Sequence, residues 1–249
     1  MSKFRQHPHE PTRRPLAHGE RVEWHFHTAN QLICPGRGVL QVSTPDGRWV
    51  VPPHRAVWLP AGVPHSHQAY GPAELRCLAF PAEVNPLRLE RPAVLAVTPL
   101  LREVIALLSG PDSPAGEPLR TLEQVALDQL RQAPPLAMLL PAATDPRLRD
   151  VTDLLAADPA DQRSLARLGA AVGASERTLS RLFRRDTGMS FPQWRTQLRL
   201  QHALTLLAAG HSVTAVAAAT GYSSPSAFVE AFRLAFGTTP GRHRREGGH

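Results

Sequence analysis

Lysine is nearly absent from this chain. Of its 28 basic residues only Lys3 is a lysine; the rest are arginine. Cysteine is scarce too. Cys34 and Cys77 are the only two, far apart and outside any CxxC spacing. That excludes a disulfide framework and fits a reducing compartment. No apolar run approaches the ~20 residues of a membrane-spanning helix. The N-terminal stretch Met-Ser-Lys-Phe-Arg-Gln-His-Pro lacks the apolar core of a secretion signal. The expectation is a soluble, cytoplasmic protein without a membrane partner.

What is present is globular in kind. The chain has 249 residues, 42% of them hydrophobic, enough for two domains with separate cores. Its 25 prolines gather mostly outside the last third. The net charge of +7 is uneven: residues 145–249 carry 14 Arg against 9 acids, residues 1–144 carry 14 basic groups against 12 acids. One basic half beside a nearly neutral one suits a nucleic-acid-binding domain joined to a domain with another task.

The last third holds a repeat. Leu165-Ala-Arg-Leu-Gly-Ala-Ala-Val-Gly173-Ala-Ser175 is echoed by Val213-Thr-Ala-Val-Ala-Ala-Ala-Thr-Gly221-Tyr-Ser223. Each copy continues into a second helix with an inward Phe (Phe183, Phe232) and a closing Gly (Gly188, Gly237). This is helix, glycine turn, helix, written twice, at 164–187 and 212–236. A helix-turn-helix lays its second helix in the major groove, so one chain carrying two can read successive grooves. In the first copy Ser164 and Ser175 are N-caps and the second helix is expected over Glu176–Asp186. Leu179, Leu182 and Phe183 form its buried stripe; Arg177, Ser180, Arg181, Arg184 and Arg185 face outward. Arginine can bond guanine bidentately or pair with phosphate. In the second copy Ser224 caps, Pro225 takes the first helical position, and Ser226, Val229, Glu230 and Arg233 face out. Between the copies, a helix of ~16 residues from Phe191 would be ~24 Å long, suited to holding two reading helices ~34 Å apart. Arg195 and Arg199 on it are candidates for phosphate contact.

The N-terminal half has a different pattern. Residues 1–20 read as a loose arm. From about 21 to 85, short strands are expected at Leu32–Ile33, Gly38–Val42, Arg48–Val51, Ala56–Leu59 and Leu75–Phe80, with Pro45-Asp46-Gly47 as a turn. Such spacing implies a small sandwich or barrel. Helices follow at Pro99–Leu108 and Leu119–Gln132, within an 86–133 segment that could form a dimer seam. A proline-rich linker covers 134–146, and 147–249 reads as helical. Histidines stand out: His25-Phe-His27-Thr-Ala-Asn-Gln31, then Pro60-Ala-Gly62-Val-Pro-His65-Ser-His67. On a strand, residues two apart share a face, so His25 and His27 point the same way. With His65, and Gln31 as a weak oxygen donor, they are a candidate site for a divalent metal such as Zn, Ni, Fe or Mn. His67 is read as a rim residue.

Residues from about 160 to 245 resemble the DNA-binding domain of the AraC family of bacterial transcription regulators. The matching stretches are Leu179-Ser-Arg-Leu-Phe-Arg-Arg-Asp-Thr-Gly188, Arg199-Leu-Gln-His-Ala203 with Leu206-Leu207, and Gly221-Tyr222, Ser226-Ala-Phe228, Phe232-Arg233, Phe236-Gly237 and Pro240. The resemblance implies base reading by Arg177, Ser180 and Arg181, a second reading helix with Pro225, Ser226, Val229 and Glu230, and Arg233 on phosphate. The N-terminal half resembles a cupin barrel, whose HxH, later PxG and third His match His25, His27 and His65; Gln31 stands where that family has Glu. Val57–His65, the linker 140–148 and Gly188–Trp194 are similar to a branch of the AraC family that represses genes for membrane exporters. The expected fold is thus α+β: a cupin-like sensor barrel followed by an all-α domain with two helix-turn-helix motifs. The expected function is a one-component, sequence-specific regulator binding double-stranded operator DNA, answering a small-molecule or metal effector, with a homodimer as a further candidate. The alternative is a metal-dependent cupin enzyme tethered to a DNA-binding module.

Overall fold

The computed structural model describes residues 5–6, 12–136 and 138–246. By packing, these divide into two units: residues up to 45 with 49–139, and 140–246 with 46–48.

The first unit is sheet-rich. Its strands include β1 (Arg5–Gln6), β2 (Thr12–Leu16), β3 (Arg21–Phe26), β4 (Asn30–Thr44), most of β5 (Gly47–Val51), β6 (Arg55–Leu59), β7 (His65–Phe80) and β8 (Ala93–Ala96), followed by helices α1 (Pro99–Ser109) and α2 (Glu117–Gln132). The two long strands β4 and β7 run antiparallel as a spine, from Asn30 opposite Phe80 to Ser43 opposite Ser66. The Leu32–Ile33 and Gly38–Val42 segments therefore belong to one strand, not two. Register shifts around Arg37 let it bend where Pro35, Gly36 and Gly38 interrupt the pattern.

Burial alternates along β7 as far as Cys77: His65, His67, Ala69, Ala73, Leu75 and Cys77 are buried on one face. On the other, Leu78 and Phe80 join Leu32, Cys34, Trp58 and Leu95 beneath Leu101, Val104, Ile105 and Leu108 of α1 and Ala126 and Leu130 of α2. Both faces are thus buried, the second beneath α1 and α2. Cys77 lies opposite Ile33 while Cys34 lies opposite Arg76, so the two thiols point to opposite faces. Both are free, and burial pushes each thiol up to about 12.

The expected loose arm is corrected here. Residues 12–16 form a strand paired with 73–77 of β7, and Leu16 is buried. Residues 5–6 pair with 25–26; the rest of the first eleven lie outside the described residues.

The second unit is helical: α3 (Pro146–Ala157), α4 (Leu165–Ala171), α5 (Glu176–Leu182), a π turn at Phe183–Thr187, α6 (Phe191–Ala208), α7 (Val213–Ala219), α8 (Pro225–Phe236) and α9 (Pro240–Glu246). Its caps repeat like its sequence. Ser164 and Ser212 accept from the N–H three residues on, as do Ser175 and Ser224 at the second helices. Gly173 and Gly221 turn the chain at φ +66° and +71°. Gly188 and Gly237 close the second helices in the same left-handed region. A capping box of Ser190 and Gln193 starts α6.

The first copy's second helix is shorter than the expected Glu176–Asp186. It ends at Leu182, and the next turn widens to π geometry. The Thr187 hydroxyl donates to the Phe183 carbonyl, and the Asp186 carboxylate reaches out of the helix to the N–H of Thr144 and Asp145 and the Thr144 hydroxyl. These bonds compete with the regular helical ladder at its last turn.

Leu179, Leu182, Phe183, Phe191, Trp194 and Leu198 share one core with Leu148, Val151 and Leu155 of α3. In the second copy Phe232 packs on Phe228, Phe236 and His243. Burying aromatic rings of this size supplies roughly 1.5–3 kcal/mol each.

Candidate DNA interface and sensor site

α5 and the π turn that follows it present a wet, basic face. Arg177, Ser180, Arg181 and Arg184 are all exposed, and among the described residues none of these three arginines makes an ion pair. Their guanidiniums are free to meet phosphate oxygens or guanine edges. Arg185 differs: its Nε donates to Asp186 Oδ1 at 2.6 Å.

The outward face of α8 is less basic. Pro225, Ser226 and Glu230 are exposed, and Val229 is half-buried. Arg233 is spoken for, its Nη2 donating to Glu230 Oε1 at 2.9 Å. That bond lowers the Glu230 carboxyl and raises the Arg233 guanidinium from their ordinary values. An exposed i,i+3 pair of this kind is weak, so DNA contact could open it at small cost.

Two arginines expected on phosphate also make contacts within the fold. Arg199 points into the fold, its Nε donating to the Pro159 carbonyl and its Nη2 to the Asp161 carbonyl, both at 3.0 Å. Burial lowers its guanidinium from the ordinary value. The loop before α4 leaves two carbonyls that need donors, and Arg199 fills them; it is a structural residue. Arg195 is half-buried: its Nη1 donates to the Arg163 carbonyl at 3.0 Å, and its guanidinium lies 4.5 Å from the Phe191 ring centre. Sequence reasoning placed both by helical face alone, and helical face does not reveal a loop's unmet carbonyls.

In the first unit the histidines converge. His25 lies opposite His65 in the β3–β7 register, with a bulge between Val22 and His25. His27 follows directly, tied by its carbonyl to the Gly62 N–H at 2.7 Å. One ring nitrogen from each of His25, His27 and His65 lies within 4.8 Å of the other two. The His25 Nδ1 faces the Glu23 carbonyl at 2.6 Å and the His65 Nδ1 faces the Val63 carbonyl at 2.9 Å. A carbonyl only accepts, so in these bonds each Nδ1 donates, which leaves Nε2 as the nitrogen placed to meet a ligand. Metal-ligating histidines are commonly oriented in this way.

Gln31 sits on the same sheet face, opposite Leu59 and Ala79. Its Oε1 is buried without a hydrogen-bond partner among the described residues. Three imidazoles and an amide oxygen form a donor set suited to a divalent ion of the Zn, Ni or Fe kind.

His67 is no rim residue. It is 4% exposed, beside His25 and His65. Burial, then the neighbouring His65, His25 and His27, holds its ring well below the usual histidine range, so it is neutral at pH 7.

Sequence reading also passed over Asn30. Its Nδ2 donates to the carbonyls of Pro81, Ala82 and Val84 while its Oδ1 accepts from the Ala61 N–H. It thereby fixes the turn that leads into His65. Its one signal was an amide in the same string as the histidines.

The helix-turn-helix domain family matches residues 168–246, and the AraC-like ligand binding domain family matches residues 13–131. The HTH-type transcriptional regulator NimR of Escherichia coli (strain K12) is 38% identical over 88% of this chain and 81% of its own length. The HTH-type transcriptional regulator GlxA of Rhizobium meliloti (strain 1021) is 43% identical over 36% of this chain and 27% of its own. A crystal structure of an AraC-type transcriptional regulator from Chromobacterium violaceum is 30% identical, covering 42% of this chain and 94% of that one at a TM-score of 0.40. The chain belongs to the AraC family of DNA-binding transcription regulators. Among the described residues no helix is long and apolar enough to cross a membrane.

Proposed function

We propose that this regulator is a cytoplasmic one-component sensor, without enzymatic activity, that recognises a specific operator chiefly through α5. The observation that carries this reading is the exposed, uncommitted set Arg177, Ser180, Arg181 and Arg184. In this reading Arg177, Ser180 and Arg181 meet base edges and Arg184 meets phosphate. Pro225, Ser226, Val229 and Glu230 fit against the neighbouring groove, and Arg233, released from Glu230, joins phosphate. Arg195 retains donors for one phosphate beside its bond to Arg163. Phosphate contacts supply salt-dependent affinity and the few base contacts supply specificity.

Residues 21–133 form the sensing part, with a homodimer seam on α1 and α2. On α1, Leu100 and Leu107 are exposed one above the other, 53% and 47%. The signal is a small molecule or a divalent ion held at His25, His27 and His65. Either acts only by binding the DNA-competent and incompetent states with different affinity. Similarity to the exporter-repressor branch favours repression of a nearby transport gene.

Genome-wide mapping of bound sites, followed by titration of one recovered site, tests the reading. The expected outcome is a recurring motif bound about 10³-fold or more above random DNA at the same salt. Equal binding to random DNA would instead mark a non-specific nucleoid-type protein.

A further inference from the structure

The loop between β7 and β8 and the last turns of α2 line a cleft of about 560 Å³, with no histidine on its walls among the described residues. A volume of that order suits a small-molecule ligand. Its apolar lining includes Val84, Leu87 and Leu127, which are half-buried and packed against the core beneath α1 and α2. Arg88 from the loop and Arg131 from α2 line it as well, with one carboxylate, Glu83, beside them.

The loop is shaped in advance of any ligand. Asn30 Nδ2 holds one end through the carbonyls of Pro81, Ala82 and Val84. The Asn85 side chain closes the other, its Nδ2 donating to the Leu89 carbonyl at 3.0 Å and its Oδ1 accepting from the Leu89 N–H at 3.3 Å. Inside that closure Arg88 sits at φ +53°, the only non-glycine residue in the left-handed region among the described residues. An L-residue there costs free energy that glycine would not. The side chain gives nothing back to the fold: it is exposed, and among the described residues it makes no hydrogen bond or ion pair. Arg131 is engaged only by an exposed i,i+3 pair with Asp128, which is weak. Backbone strain beneath an uncommitted charge, on the wall of a cavity, points to a ligand.

We propose that this cleft binds a small organic monocarboxylate with an apolar body, the carboxylate between Arg88 and Arg131 and the body against Val84, Leu87 and Leu127. This rests on the reading of the first unit as the sensing part, and it gives that part a small-molecule seat separate from the histidines. A guanidinium offers paired N–H donors that match a carboxylate. Two guanidiniums against Glu83 leave one positive charge to be neutralised, and a second carboxylate on the ligand would meet Glu83. The apolar lining rewards a hydrocarbon body that acetate and inorganic phosphate lack. Asn30 holds the Ala61 N–H as well as the loop, so the cleft is tied to the turn before His65.

The test is calorimetric titration of the full chain, in chelator, with monocarboxylates from butyrate to decanoate and from benzoate to 4-phenylbutyrate. Each is paired with its neutral amide, and acetate and inorganic phosphate supply charge without a body. Expected is one carboxylate bound per chain by at least one member of the panel, about tenfold or more tighter than its amide, acetate or phosphate. Arg88→Gly and Arg131→Gln should each weaken that binding about tenfold or more. Arg120→Gln, on α2 but off the cleft, should stay within about threefold of wild type. Arg88→Gly should also melt no lower than wild type, because glycine takes this φ without strain. Binding by no member, equal binding of an amide, or binding kept by both cleft variants overturns the site. A lower melting temperature for Arg88→Gly overturns it too, by making Arg88 a structural residue. Binding as expected, with affinity for a mapped operator unchanged at saturation, upholds the site and overturns the sensing reading instead.

Discussion

Two glycines make the same turn in the two helix-turn-helix copies, yet alanine should not be equally harmful at both. Gly173 and Gly221 have φ of +66° and +71°. An L-residue in that region costs about 1–2 kcal/mol. At Gly173 the cost ends there, because an added Cβ would find nothing within 4 Å. At Gly221 the Cβ would lie 2.7 Å from Gln162 Nε2, 2.8 Å from Arg199 Nη2 and 2.9 Å from the backbone Cα of Ala160. Gln162 donates to the Gly221 carbonyl and Arg199 to the carbonyls of Pro159 and Asp161, so displacing them breaks those bonds. The neutral bond is worth ~1 kcal/mol and the charge-assisted ones ~1.5–3. Gly173→Ala should thus cost about 1–2 kcal/mol and Gly221→Ala, which also displaces the Gln162 bond and the Arg199 Nη2 bond, roughly 3.5–6. Urea unfolding of the full chain, followed by helical circular dichroism, measures both. Equal losses would refute the claim that the second turn, and only the second, is packed against the Arg199 clamp.

Arg199→Ala should destabilise the second unit by about 2–4 kcal/mol through its two orphaned carbonyls. It should leave the salt slope of DNA binding unchanged; a slope reduced by about one would restore Arg199 as a phosphate contact. Asp186 makes the protein acid-sensitive. Its carboxyl is held well below the usual range, first by Arg185, then by Thr144 and the Thr144 and Asp145 N–H groups, against the opposing effect of burial. Because the folded value is depressed, its stabilisation is complete above the unfolded value of ~3.9 and fades as pH falls below it. Asp186→Asn should therefore lower the urea midpoint at pH 6 and flatten its fall between pH 5 and about 2.5. A parallel fall in both proteins would show that other carboxylates carry the acid response.

The helical half was more legible than the sheet half, for physical reasons. Ser164, Ser175, Gly173, Gly188 and their partners in the second copy are local devices: a cap or a left-handed turn depends on residues within four positions. They therefore appear in the sequence at their true places. Long-range demands do not. Thr12–Leu16 has little strand character of its own and is a strand because residues 73–77 offer a free edge. Arg199 looked like a phosphate ligand because nothing near it in sequence announces the carbonyls of Pro159 and Asp161. The sensor site was half legible. Alternation predicted a shared face for His25 and His27, but the burial of His67 depends on long-range pairing, with Val22 of β3 on one side of it and Val42 of β4 on the other.

The central claim is that α5 reads the operator. Its most direct measurement is the affinity of Arg181→Ala for a mapped operator and for the same fragment with each base pair changed in turn, at one salt concentration. The account predicts a loss of about 1–3 kcal/mol on the operator, with discrimination vanishing at a single base position and persisting elsewhere. Wild-type affinity, or an equal loss at every sequence including random DNA, would contradict it.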